Sequence, residues 1–172
     1  PVSLPNITRE GHEFLGWFNE NGEKVETVYG EMTVYAKWDI VVYNINYTGV
    51  DFTGISSSPV VNNPNETVTT YTVETETITL EEPTRLGYGF TGWTPSNKIV
   101  KGSTGDKTFE ATWEAVVYTI TYDNNLEEGT VSTNVVNNNP TSYTIEDEII
   151  LENPIRLGYN FTNWTEGNAI PA

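Results

Sequence analysis

The stretch RLGYGFTGW, residues 85–93, returns as RLGYNFTNW at 156–164 and, more loosely, as REGHEFLGW at 9–17. Each copy sets a Phe and a Trp three apart, with Gly16, Gly92 or Asn163 just before the Trp. In a regular strand alternate residues face opposite sides, so Phe90 and Trp93 would point apart. Gly and Asn are the residues that most readily take positive φ, which predicts a bulge or kink at this position. Such a kink returns both rings to one buried face, so the motif is read as core packing rather than as an exposed aromatic platform.

Working outward, the motif sits inside a longer repeating pattern. VVYNINY at 41–47 places Val41, Tyr43, Ile45 and Tyr47 on one face and Val42, Asn44 and Asn46 on the other, the alternation of a half-buried strand. VVYTITY at 116–122 repeats it. TVYAKW at 33–38 and TFEATW at 108–113 read as closing strands, and the polar run at 19–23 as a turn. TVTTYTV and TITL, within 67–80, read as two further strands. From Val73 to Ile78 is one residue more than from Ile145 to Ile149. An odd change inside one strand would turn every later side chain over, so breaks are expected at 74–77 and 146–148.

The expected fold class is mainly β, built from small sheet units in tandem, like beads on a string. A short helix has room in a loop, above all near 64–67 or after Pro83. The expected boundaries are 1–39 for the back part of a repeat, 40–114 for a complete repeat, and 115–172 for a repeat that lacks its final strand. Units of this size lie near the lower limit for an independent core. Trp17, Trp38, Trp93, Trp113 and Trp164, with Phe14, Phe90 and Phe161, are the expected core residues.

Composition narrows the function classes. The 172 residues carry 24 acidic and 8 basic side chains, a formal charge of −16. Nucleic acid, heparin-like glycans and anionic membrane surfaces are therefore disfavoured as partners, and the basic residues are scattered. There is no Cys, which removes disulfides and thiolate metal sites. No apolar run approaches membrane-spanning length, so direct membrane insertion is not expected. Asn-x-Ser/Thr sequons at Asn6, Asn46, Asn65, Asn160 and Asn163 matter only in a eukaryotic secretory host.

Catalytic and metal-binding constellations find little support. His12 is the only histidine, and Tyr88 and Tyr159 take its place in the other copies, so the position asks for a flat amphipathic ring. Glu74 and Glu76, Glu81 and Glu82, and Glu146, Asp147 and Glu148 lack a calcium-loop order; Asp123, Asn124, Asn125, Glu127 and Glu128 come nearest, and a solvated acidic loop is the preferred reading. KGSTGDK at 101–107 lacks the order of a phosphate-binding loop, and its glycines read as turn formers. Lys98, Lys101 and Lys107 are candidates for an isopeptide bond to an Asn or Asp beside a buried Glu. No enzyme activity, cofactor or metal is expected.

With its motifs in constant order, PTRLGYGFTGW, KGSTGDKTFEATW, YTITY and PIRLGYNFTNW, the chain resembles the bacterial surface repeats of the Listeria–Bacteroides type and the internalin B-repeats. The resemblance covers nearly the whole sequence. It implies a small β-grasp-like unit, repeated as a spacer or stalk in secreted or wall-anchored bacterial proteins, with adhesion in some members and no catalytic residues. His12 and Asn163 depart from the usual Tyr and Gly. A spacer is the first expectation. The second is an adhesin-type module for a host protein or neutral glycan, acting through the long loops at 48–66 and 123–140.

Overall fold

The computed structural model describes residues 1–51, 61–123, 135–165, 167 and 169–170. Among the described residues every regular element is a strand, and no helix is long and apolar enough to cross a membrane. The first copy of the motif contributes β1 (Val2–Ser3), β2 (His12–Phe18), β3 (Lys24–Val25), β4 (Thr27–Val28) and β5 (Tyr35–Ile40). The second contributes β6 (Tyr43–Thr48), β7 (Val61–Asn62), β8 (Thr70–Tyr71), β9 (Ile78–Thr79), β10 (Thr84–Arg85), β11 (Tyr88–Thr94), β12 (Lys98–Ile99) and β13 (Lys107–Ala115). The third contributes β14 (Tyr118–Thr119), β15 (Val135–Val136), β16 (Ser142–Tyr143), β17 (Ile149–Ile150), β18 (Ile155–Arg156) and β19 (Ala169–Ile170). The mainly β expectation holds.

Equivalent residues pair in equivalent ways. Tyr43 opposes Tyr71 across β6 and β8, and Tyr118 opposes Tyr143 across β14 and β16. Ile78 opposes Ile99, as Ile149 opposes Ile170, and Val2 opposes Val28 in the first copy. The largest sheet runs in the order β7-β10-β11-β13-β6-β8, with β13 parallel to β6 so that Phe109 lies opposite Tyr47. In the first copy β2 runs antiparallel between β3 and β5.

The predicted kink is present. The register of β2 on β5 shifts between Phe14 and Gly16, and Gly16 and Gly92 have φ of 129° and 148°. The extra residue re-aims the strand, and the Phe14 and Trp17 rings meet edge-on at 5.6 Å, as Phe161 and Trp164 meet at 5.2 Å. The predicted break at 74–77 is a turn closed by the Thr75 amide donating to the Thr72 carbonyl at 3.1 Å. One residue shorter, its counterpart is closed by the Asp147 amide on Thr144, also at 3.1 Å. At 64–67 the chain makes turns rather than a helix, with the Val68 amide donating to Asn65.

By contact density the chain divides into two compact units. One comprises Pro1–Asp51, Asn62–Pro83 and Gly92–Thr112; the other comprises Phe52–Val61, Thr84–Thr91 and Trp113–Ala172. In the first unit the core is Ile45, Tyr71, Leu80, Trp93, Ile99, Phe109 and Ala111, all under 9% exposed, together with Pro83. Of the aromatic residues expected at the core, Trp93 is buried, whereas Phe14, Trp17, Trp38, Phe90, Trp113, Phe161 and Trp164 are only half-buried. The physical reason is the size of the sheets: strands of two to nine residues leave one edge of a large ring in solvent. Ile45, Ile99 and Ala111, on β6, β12 and β13, complete the core around Tyr71, Leu80, Trp93 and Phe109. The run at 96–107 contains β12, in which buried Ile99 pairs with Ile78 of β9.

Candidate functional site

The geometry repeated most closely is the place where one copy meets the next. At its centre is the turn held by Gly11, Gly87 and Gly158 at φ of 69°, 75° and 81°, which in the first two copies leads into the long strands β2 and β11. Only Gly takes this left-handed conformation without strain. Inside the first unit a Cβ on Gly11 would collide with Val73. Inside the second, a Cβ on Gly87 would lie 2.6 Å from the Ile145 side chain. Val73 and Ile145 sit at the same place in successive copies. The glycine therefore serves twice over, setting the turn and letting the aliphatic side chain of the next copy lie on the backbone.

The carbonyls of the same glycines complete the junction. The Val41 amide donates to Gly11, and the Val116 amide to Gly87, both at 2.9 Å. This explains why β6 starts at Tyr43 rather than at Val41: the first residues of the expected strand are spent on the junction.

A ring and a carboxylate flank each contact. The Tyr88 hydroxyl donates to Glu146 Oε1 at 2.8 Å, and the Arg85 guanidinium covers the Tyr88 ring at 3.6 Å. The hydrogen bond to Glu146, assisted by burial, raises the Tyr88 phenol above its ordinary value of 10.0. In the first copy His12 Nε2 lies 3.7 Å from Glu74 Oε1, an ion pair when the imidazole is protonated, with the His12 side chain 8% exposed. His12 Nδ1 is 2.9 Å from the Glu10 carbonyl oxygen, and the ring stands edge-on to Trp38. As expected from sequence, the position holds a flat ring with one polar edge.

A second repeated device was not visible in the sequence reading. Asn65, 5% exposed, donates from Nδ2 to the Glu81 carbonyl at 2.9 Å and accepts the Glu81 amide on Oδ1 at 2.9 Å. Asn139 does the same with Glu152, at 2.8 and 2.6 Å. In each case the side chain copies the hydrogen bonds of a strand neighbour, and a further Asn two residues earlier, Asn63 or Asn137, fixes its amide. The signal available was the spacing Asn-x-Asn at 63–65 and again at 137–139. Trp93 Nε1 donates to the same Glu81 carbonyl at 3.0 Å, as Trp17 Nε1 donates to Pro5 at 2.7 Å.

The remaining candidates are dispersed. Glu74 and Glu146 face rings at separate junctions, and Glu76 is paired with Lys101 at the surface. That ion pair raises the Lys101 ammonium above its ordinary value. Asp147 turns inward to accept the Thr144 amide and hydroxyl, which lowers its carboxyl. Among the described residues there is no cluster of three or more His, Asp or Glu able to hold a metal. The buried polar residues are Asn63, Asn65 and Asn139, so among the described residues no buried Glu stands beside Lys98, Lys101 or Lys107 as isopeptide chemistry needs. Most of the two long loops, 52–60 and 124–134 with the candidate acidic stretch from Asn124 to Glu128, lies outside the described residues.

The repetition seen in the coordinates is matched in sequence. The family model of the Listeria-Bacteroides repeat domain matches three times, at residues 2–37, 43–112 and 118–170. The chain belongs to this family. A relative in Evansella cellulosilytica, named "Putative Gly-rich membrane protein", is 29% identical to the chain over 133 residues, covering 68% of it. The aligned part is 14% of that protein's length. No solved structure matches the chain. Within this family membership, the junction glycines, rings and carboxylates are contacts made between successive Listeria-Bacteroides repeats.

Proposed function

We propose that the chain is an extracellular spacer segment of a bacterial surface protein, without catalysis, in which successive repeats at 1–39, 40–114 and 115–172 hold another part of the protein away from the cell. The observation that carries this reading is the junction made twice with equivalent residues, Gly11 on Val73 and Gly87 on Ile145. Direct side-chain contact between copies transmits orientation in a way that a flexible linker does not. The acidic surface keeps such an array soluble and limits self-association. The name of the Evansella relative, a membrane protein, supports attachment at the cell envelope.

A second reading, an adhesin-type module for a host protein or neutral glycan, rests on the long loops at 48–66 and 123–140, which differ in length and sequence while the strands around them repeat. The two are separated by immobilising the purified chain and measuring binding of host-cell extracts and a panel of neutral and charged glycans. The spacer reading expects no saturable binding. Saturable binding that disappears when 48–66 is shortened would replace it with the adhesin reading.

A further inference from the structure

The solvent face of the first copy's sheet differs in chemistry from its counterpart in the second. On β11 and β13 that face carries Thr91, Thr94, Glu110 and Thr112. On β2 and β5 the same positions are Leu15, Phe18, Tyr35 and Lys37. The third copy again has Thr, at 162 and 165, where the first has Leu15 and Phe18. Leu15 and Tyr35 are 44% and 50% exposed, so packing does not ask for the exchange.

An insertion completes this face. The chain is five residues longer between Phe18 and Val28 than between Thr94 and Ile99. The added length forms the turn at 19–23 and β3, a third strand beside β2, whereas β11 is flanked by β10 and β13. The turn is firmly held: Asn19 Oδ1 accepts the Asn21 and Glu23 amides, both at 3.0 Å, and Asn19 Nδ2 donates to Glu23 Oε2 at 2.9 Å. Through β3, Lys24 stands opposite Phe18, whose partner on β5 is Tyr35. Cross-strand partners share a face, so Lys24, Phe18 and Tyr35 form one row. Lys37 Nζ lies over the Phe18 ring, 4.3 Å from its centroid, and the Lys24 chain crosses Gly16, where a Cβ would obstruct it.

Lysines that are scattered in the sequence thus meet on one surface of a chain of charge −16. Among the described residues the ion pairs are His12–Glu74 and Lys101–Glu76, and neither Lys24 nor Lys37 joins one. Glu23 is turned to Asn19, and Glu13 and Asp39 oppose each other at the far end of the face. A pair of lysines without carboxylate partners calls for a carboxylate in the ligand. The field of the whole chain repels polyanions, so that ligand carries a single charge. Because β2 is hydrogen-bonded on both sides, the face has no free main-chain groups for a peptide strand and offers ring surface instead. A pyranose fits such a surface, with an apolar C–H face for the rings and a polar rim for the lysines.

We propose that this face binds a saccharide residue bearing one carboxylate, of the hexuronic acid class. Its ring stacks on Tyr35 beside Phe18, and its carboxylate lies between Lys24 and Lys37. With no cleft around it the ligand is held at millimolar strength, so free sugar in solution, rather than capture on an immobilised chain, is the proper measure. The site lies apart from 48–66, and the inference holds whether the array spaces or binds.

The test titrates the isotope-labelled 172-residue chain with methyl glucuronide by NMR, with methyl glucoside at matched ionic strength as the uncharged control. The expected result is saturable one-to-one binding with shifts confined to 15–18, 24–25 and 35–37, and glucoside weaker by about fivefold or more. Tyr35→Glu and Lys37→Thr, which install the second copy's residues, each weaken binding by about fivefold or more while amide dispersion elsewhere stays unchanged. Shortening 48–66 leaves the titration as it was. Equal response to both sugars, a response that does not saturate, shifts confined to other segments, or variants that bind as well as the wild type overturn the proposal. A tetraglutamate peptide that displaces the sugar and binds more tightly marks a general anion surface, and overturns it as well.

Discussion

Tyr88 donates its phenolic hydrogen to Glu146 at 2.8 Å, across 58 residues of sequence and from one copy to the next. One copy earlier the same two positions are His12 and Glu74, at 3.7 Å. A hydroxyl and an imidazole differ in charge and reach, yet both place a polar ring edge against the carboxylate that follows a half-buried aliphatic residue. The junction therefore tolerates exchange of the ring while keeping the glycine beneath it, which identifies the glycine and its aliphatic partner as the more stringent element.

Gly87→Ala tests that ranking. Alanine at φ 75° adds a left-handed backbone penalty of about 1–2 kcal/mol, and its Cβ would meet Ile145 at 2.6 Å, with a similar further cost for overpacking. The expected loss is about 2–4 kcal/mol by urea denaturation. Gly158→Ala is the reference: its φ is 81° but nothing lies within 4 Å of the added Cβ, so only the backbone penalty of about 1–2 kcal/mol applies. Equal losses at the two sites would show that Ile145 contributes nothing to the junction.

The ring–carboxylate contact has a pH signature. Because the Tyr88 phenol is raised by its hydrogen bond to Glu146, the folded state prefers the protonated ring. Its contribution is fully present below the unfolded value of about 10 and is lost as pH rises through the higher folded value. Tyr88→Phe is expected to lose about 0.5–1 kcal/mol at neutral pH, the low end for a partly exposed hydrogen bond. Tyr47, Tyr71 and Tyr122 are also raised, chiefly by burial, so the informative quantity is the difference between wild type and variant. That difference should shrink above about pH 10; a constant difference across the alkaline range would assign the loss to something other than the phenolic proton.

Local rules made some of these elements legible and left others hidden. The alternation Tyr43, Ile45, Tyr47 and the odd residue count at 74–77 could be read because strand period and register act over a few residues. The bulge at Gly16 followed from two aromatic residues that needed one face. The junction was hidden, because Gly11 and Val73 meet across 62 residues and nothing local joins a turn to an aliphatic residue in the next copy. Burial of the tryptophans was overstated for a related reason: ring size predicts the wish to be buried, whereas the width of the sheet decides whether there is cover. The Asn65 clip was masked by composition, since one Asn among many in a loop carries no positional signal until its copy at Asn139 is placed beside it.

That clip supplies a stringent substitution. Asn65→Ala removes both hydrogen bonds to Glu81 and leaves a backbone amide and a carbonyl to find other partners, although Trp93 Nε1 still satisfies the carbonyl. An unsatisfied buried amide costs about 1–3 kcal/mol, and the expected destabilisation is of that size. The readout is the urea midpoint together with amide exchange at Glu81, which should accelerate by at least about tenfold. Unchanged exchange at Glu81 would mean that the backbone there is held by its strand neighbours alone.

Trp93 and Trp164 make a matched pair, because the same position of the motif is buried in one copy and half-buried in the other. Trp93 is 8% exposed, donates to Glu81 and packs on Tyr47, so Trp93→Ala leaves a cavity in a finished core and is expected to cost about 3–5 kcal/mol. Trp164 keeps the corresponding contact with Tyr122, yet it is half-buried and its indole nitrogen has no hydrogen-bond partner among the described residues. Trp164→Ala should therefore cost less, about 1–2 kcal/mol, in proportion to the smaller apolar area covered. Calorimetry of both variants decides the matter through the order of their melting temperatures. A Trp164 variant that melts below the Trp93 variant would show that burial of the ring does not set its contribution to stability.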